Sequence, residues 1–227
     1  MKSQTFISII AVCCFQTLRA QVAEHQVIDR GGNNGTLTYI FQHDEIHGTQ
    51  FLTDTWLDAS ITTDHNYTFT HMSVKFDVYN NKFIYKLNDT AYELGAGIKM
   101  ICIFNDPADT SKKQVFKNGY PIDNHLGTGK FLEVLAEGPV TLLKYYSKEV
   151  EEYNEYGNAN KLKRFKDLQR YYILADGKYT AVSINRKSLE QVLQSKWTQI
   201  ESYLGQKKIS GKNVADWTGA IIYYNSL

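Results

Sequence analysis

"KFDVYNNKFIYKL", residues 75–87, decides the fold. Two alternating runs flank an Asn-Asn pair, and alternation at period two is the mark of a half-buried strand. Met72, Val74, Phe76 and Val78 share one face, and Ser73, Lys75, Asp77 and Tyr79 the other. A two-residue turn at Asn80-Asn81 suits the hairpin, because Asn tolerates the positive φ of a type I′ turn. That turn predicts Val78 opposite Phe83, Phe76 opposite Tyr85 and Val74 opposite Leu87. All three pairs would be apolar, and the face they form must cover a core, a ligand or a partner.

The pattern continues on both sides. Leu57, Ala59 and Ile61 alternate before a turn at "TDHNY". "AYELGAGIKMICIF" predicts two strands around Gly95 and Gly97. Residues 98–104 are apolar on both faces apart from Lys99, which places that strand centrally in a sheet. "VFKNGYPI" predicts a tight hairpin at Asn118-Gly119, "FLEVLAEGPVTLLKYY" one at Glu137-Gly138, and "YYILADGKYTAV" one at Asp176-Gly177. Between the last two lies a charged, tyrosine-rich stretch, residues 147–170, read as a solvated excursion or long loop whose acidic first half could pair with its basic second half. After Asn185 the period changes. Leu189, Val192, Leu193, Trp197, Ile200 and Leu204 predict a helix capped by Ser188 and stopped by Gly205. Val214, Trp217, Ile221 and Tyr224 predict a second helix from about Asn213. The expected class is α+β, mostly β: a twisted antiparallel sheet or half-barrel built from hairpins, with a C-terminal two-helix hairpin packed on it. Its β domain spans residues 48–184 and the helical hairpin 185–227.

The N-terminus points to export. Lys2 precedes the apolar run "FISIIAVCCF", and "TLRA" then offers a cleavage site, so residues 1–20 read as a signal peptide removed before Gln21. Residues 21–47 read as a polar leader or edge strand. Lipid anchoring at Cys13 or Cys14 is the alternative processing, although Val12 stands where a small residue is wanted. Removing residues 1–20 leaves Cys102 alone among 3 cysteines, so no internal disulfide forms. Cys102 lies in the apolar run "KMICIFND", where a thiol is an inert core group. Few cysteines and a short leader fit a bacterial envelope; in a eukaryotic host the sequons at Asn34, Asn66 and Asn88 would carry glycans. The chain holds 25 Lys and Arg against 24 Asp and Glu. Such a balance leaves no electrostatic footprint for nucleic acid.

Catalytic signatures are absent. "HDEIH" (His43, Asp44, Glu45, His47) is the best metal candidate, with His65 and His71 as further ligands. It lies in strand-like sequence, where residues four apart are too distant to chelate one ion readily. No nucleophile elbow, no Ser-x-x-Lys and no phosphate-binding loop occurs. The sequence therefore assigns no catalytic residue, metal or cofactor.

Taken together, "GTQFLTDTWLDASI", "FLEVLAEGPVTLL" and the ending "WTQIESYLGQKKISGKNVADWTGAIIYYNSL" resemble a group of exported proteins of Bacteroidetes-type bacteria. That group carries G-x-x-(F/Y)-L-x-x-x-W, F-x-E-V-L-x-x-G and a final Y-Y-N. The resemblance covers most of residues 48–227 and implies compartment and fold, without an activity. Three readings follow. The first is a non-catalytic interaction or scaffold module whose partner is an envelope protein, contacted through Tyr145, Tyr146, Tyr153 and Tyr156. The second is a carrier or sensor of a small apolar ligand, with Trp56, Phe76 and Tyr85 lining the cavity and Ala59 facing it. The third is a hydrolase whose carboxylates or histidines the sequence does not place.

Overall fold

Hairpins joined edge to edge build most of the described chain before residue 185. The computed structural model describes residues 35–37, 45–105, 109, 112–121, 127–156 and 160–227. Residues 1–20, expected to be a signal peptide, and Cys13, Cys14, His43 and Asp44 lie outside them. The strands are β1 (Gly35–Leu37), β2 (Ile46–His47), β3 (Leu57–Thr63), β4 (Thr68–Asp77), β5 (Lys82–Leu87) and β6 (Thr90–Leu94). They continue with β7 (Ile98–Phe104), β8 (Lys113–Lys117), β9 (Leu132–Ala136), β10 (Val140–Tyr153), β11 (Leu162–Ala175) and β12 (Lys178–Val182). Three helices follow: α1 (Arg186–Val192), α2 (Trp197–Lys207) and α3 (Val214–Ser226). The class is α+β and mostly β. One open sheet runs β1-β6-β5-β4-β3-β7-β8-β9-β10-β11-β12, with β2 parallel against β11. As its apolar run requires, β7 is central, between β3 and β8.

The sheet rolls on itself. Neighbouring strands are about 4.8 Å apart, so β4 and β10, five steps apart, would be about 24 Å apart if flat. Instead the Phe76 and Tyr146 rings are 6.5 Å apart. Phe83 on β5 and Phe116 on β8 approach to 5.3 Å. The face of residues 75–87 is therefore core, covered by the sheet's own curl. Phe76, Phe83, Tyr85, Ile61, Ile101 and Phe116 are buried there together.

The quoted hairpin turns differently from the two-residue reading. Phe76 pairs with Phe83 and Val74 with Tyr85, leaving a four-residue turn, Val78 to Asn81. Asp77 is the reason. Its carboxylate accepts from the Asn80 backbone N–H (3.0 Å), the Asn80 amide (2.8 Å) and the Gln50 amide (2.9 Å). Those bonds open the turn around the side chain. The shift is by two residues, one full side-chain period, so every residue keeps its face.

Two further expectations are corrected. No tight hairpin forms at Asn118-Gly119. Gly119 does have φ 87°, but β8 and β9 meet only at Phe116/Glu133 and Lys117/Leu132, across a wide connection necked by Gly119 N–H to Thr128 O (2.7 Å). Nor is residues 147–170 a loop: β10 and β11 pair in register from Val140/Ala175 to Tyr153/Leu162. Opposite charges facing across the strands hold those polar sequences in a ladder. The hairpins at Glu137-Gly138 and Asp176-Gly177 are present. At the latter both central residues have positive φ, 51° and 72°, the type I′ geometry.

The first predicted helix is two. Asn185, not Ser188, is its cap, accepting from the Ser188 N–H (2.9 Å), and a 3-10 turn at Gln194–Lys196 separates α1 from α2. Lys208, in the left-handed region, ends α2, while Gly205 stays inside it. Asn213 caps α3. Leu189, Leu193, Ile200, Leu204, Trp217 and Ile221 pack with Leu142 and Ile173 in a second core. The helices therefore cover the β9–β11 region rather than the face of residues 75–87. On the opposite side of β10 and β11, Leu143, Tyr145 and Tyr172 form a third cluster with Tyr120 and Tyr179 packed against it.

Candidate functional site

Between the first two cores a polar cluster interrupts the apolar surface. The β8–β9–β10–β11 registers set Phe116, Glu133, Lys144 and Tyr171 side by side. Glu133 is buried and well supplied with donors: the Tyr146 hydroxyl at 2.6 Å and the Gln114 amide at 3.1 Å. Gln114 also reaches the Tyr146 oxygen at 3.3 Å. Lys144, directly opposite Glu133, does not join that network. Its ammonium stands over the rings of Tyr146 (4.2 Å) and Tyr171 (6.0 Å).

Burial governs the ionisation here. It lowers the Lys144 pKa, with the Glu133 charge opposing. It raises Tyr146 strongly, and the neighbouring Glu133 carboxylate adds to the rise. Tyr171 moves up for the same two reasons. Both phenols stay protonated: Tyr146 donates to the buried Glu133 carboxylate, and Tyr171 donates to the Gln169 side-chain oxygen (2.9 Å). On the other face, burial and then Glu137 push Tyr120 to about 12.

A second polar feature lies at one end of the roll. Three connections converge there: Asn80 and Asn81 after β4, Gly95 to Gly97 after β6, and Gly129 to Phe131 before β9. They enclose a cleft of about 480 Å³. Asn81 fastens its wall. Its amide donates to the Phe131 carbonyl (3.1 Å) and accepts from the Phe131 N–H (2.7 Å).

The third feature is the ribbon formed by the distal halves of β10 and β11. Beyond Lys144, β9 no longer pairs with β10, and β12 reaches only Tyr171–Ala175 of β11. One face of the ribbon carries Glu149–Lys166 (3.4 Å), Glu151–Lys166 (3.0 Å) and Glu151–Arg164 (2.6 Å). The Lys166 and Arg164 hydrogen bonds hold Glu151 below the usual carboxylate range. The other face seats Phe165 against Tyr79 (5.4 Å) and anchors Lys148 between Asp167 and the Thr49 carbonyl.

The residues singled out in the sequence scatter among these features. Tyr145 and Tyr146 are buried, on opposite faces of β10. Tyr153 contacts His47 (2.7 Å) and lies under Arg164, while Tyr156 at the tip is fully exposed. Phe76, Tyr85 and Ala59 are core, and Trp56 packs under Lys75. His65 and His71 form separate pairs with Asp64 (2.6 Å) and Asp58 (3.6 Å). Among the described residues no group of three or more His, Cys, Asp or Glu could hold a metal ion. None of their serine, threonine or cysteine side chains hydrogen-bonds a histidine. No helix among them is long and apolar enough to cross a membrane. Glu133 and Lys144 were not singled out. The signal that finds them is parity: in "FLEVLA", Glu133 falls opposite the buried Phe116 once the strands are in register.

Comparison of the chain with protein-family models, with curated proteins and with solved structures finds no match.

Proposed function

We propose that the chain is a non-catalytic interaction module exported to a bacterial cell envelope, and that the β10–β11 ribbon is its contact surface for an envelope protein. The carrying observation is the ribbon itself, an arm of β10 and β11 edged by the short β2, with a ladder of ion pairs on one face and an exposed tyrosine at its tip. Such an arm is ordered before it meets a partner, so association costs little ordering entropy. Tyrosine suits its tip, since one ring supplies both apolar area and a hydrogen-bonding hydroxyl. Export is supported by the leader at residues 1–20 and by the resemblance to exported proteins. The carrier reading draws less support, because Phe76 and Tyr85, which would line its cavity, are 2% and 1% exposed in a filled core.

Cross-linking in the envelope fraction of the native host tests the reading. The expected product is one defined protein partner, lost when Tyr153→Ala and Tyr156→Ala are combined. Circular dichroism should show that variant still folded. A cross-linked pattern unchanged by the double substitution would remove the ribbon as the contact surface. Retention of the chain in the cytoplasm with residues 1–20 still attached would remove export.

A further inference from the structure

We propose that the cleft at the end of the rolled sheet binds a single sugar residue. The mouth of a rolled sheet is a favoured place for a small-molecule site, and about 480 Å³ lies in the range such sites occupy. The lining chemistry selects the class of ligand. Lys82 and Glu93 form an ion pair on one wall (2.9 Å), and Lys130 reaches the Asn80 carbonyl at 3.4 Å on the other. Asn118 also lines the cleft and brings an amide to it. Donors and acceptors are therefore interleaved. That pattern matches adjacent hydroxyls, each of which both donates and accepts. With Lys82 paired to Glu93, Lys130 alone among the lining side chains is left to meet a phosphate or dicarboxylate, which needs more than one cation. The charges and amide disfavour a wholly apolar guest, whose entry would strip them of water. Leu94 and Phe131 also line the cleft, with their side chains buried mainly in the adjoining core.

The walls are shaped for a guest. The two Asn81 bonds to the Phe131 main chain hold the site in place before binding. Gly129 presents no side chain, and a Cβ built there meets nothing within 4 Å. The inference needs neither export nor the ribbon, so it stands or falls separately from them.

Titration of the ¹⁵N-labelled protein tests it, with the methyl glycosides of glucose, N-acetylglucosamine and glucuronic acid as probes and inorganic phosphate as the control. At least one glycoside should saturably shift the amides of Gly95, Gly97 and Gly129, with a Kd of about 1–10 mM expected for so small a ligand. Gly129→Trp, whose Cβ meets nothing within 4 Å, should weaken that binding at least tenfold and leave thermal unfolding unchanged. Asn118→Ala is the second variant and should also weaken it. The proposal is overturned if no glycoside moves those amides. It is equally overturned if phosphate moves them as much, or if both variants titrate like the parent.

Discussion

Asn225 shows how much one side chain can join. Its amide donates to the Val140 carbonyl (2.8 Å) and accepts from the Val140 N–H (3.0 Å), as a neighbouring strand would. It thereby ties α3 to the turn between β9 and β10. Gly138 is the complementary residue: a Cβ there would come within 2.5 Å of the Asn225 amide nitrogen. Asn225→Ala should cost about 1–3 kcal/mol, the sum for two part-buried hydrogen bonds at about 0.5–1.5 kcal/mol each. Gly138→Ala should cost a similar amount, and the double variant less than the sum, because the clash is largely relieved. Urea denaturation of the four proteins measures that coupling. Both residues belong to motifs quoted from the sequence, Asn225 to the final Y-Y-N and Gly138 to F-x-E-V-L-x-x-G. Their contact was not legible, since no local pattern relates positions so far apart in the chain. Lys144 carries a second prediction. Burial lowers its pKa, so site-resolved acylation across a pH series should give it a lower midpoint than the exposed lysines. Glu133→Gln should lower that midpoint further, because the Glu133 charge favours the ammonium.

Among the elements, the ribbon and the helical pair respond to solvent in different ways. The ribbon's exposed face is held by ion pairs that salt screens, with a Debye length of about 3 Å at 1 M. Hydrogen exchange in high salt should therefore quicken in residues 149–153 and 162–166 and leave residues 142–146 unchanged. The link between α2 and α3 depends instead on Asp216. Burial alone would raise its pKa, but hydrogen bonds from Gly211, Ser210 and Asn213 outweigh burial and lower it. Its oxygen accepts from the Ser210 and Gly211 N–H groups at 2.9 and 2.8 Å. A depressed carboxylate stabilises the fold fully above its unfolded pKa of about 3.9, and that contribution fades as pH falls through the folded value. Thermal unfolding of Asp216→Asn should start from a lower Tm at neutral pH and vary less than the parent's below about pH 4. At this scale the sequence was informative where period and turn chemistry agreed, as at Asp176-Gly177. It misled where a side chain took over the turn, as Asp77 does. It misled again where cross-strand charges, rather than apolar alternation, made strands of residues 147–170.

Over the whole molecule, two cores share one sheet. Phe83 is fully buried in the first and Trp217 in the second. Truncating either to alanine should cost about 3–5 kcal/mol. Denaturant titration measures the loss, and if the shared sheet transmits it, circular dichroism and tyrosine fluorescence will report one transition for both variants. The mostly β class, the central β7 and a helical end packed on the sheet could be read directly from residues 48–227. What covered the greasy face could not, because strand alternation reports that a face is buried and is silent about the curvature that buries it. The strand order has a further consequence in time. Neighbours in the sheet are mostly neighbours in sequence, yet β3 pairs with β7 across the whole of β4, β5 and β6. During synthesis β3 gains β4 early and keeps one bare edge until β7 has emerged. Non-local pairing of this kind sets refolding on the order of milliseconds to seconds. Throughout that interval the nascent chain offers an unpaired strand edge, the kind of surface on which chains pair wrongly with one another.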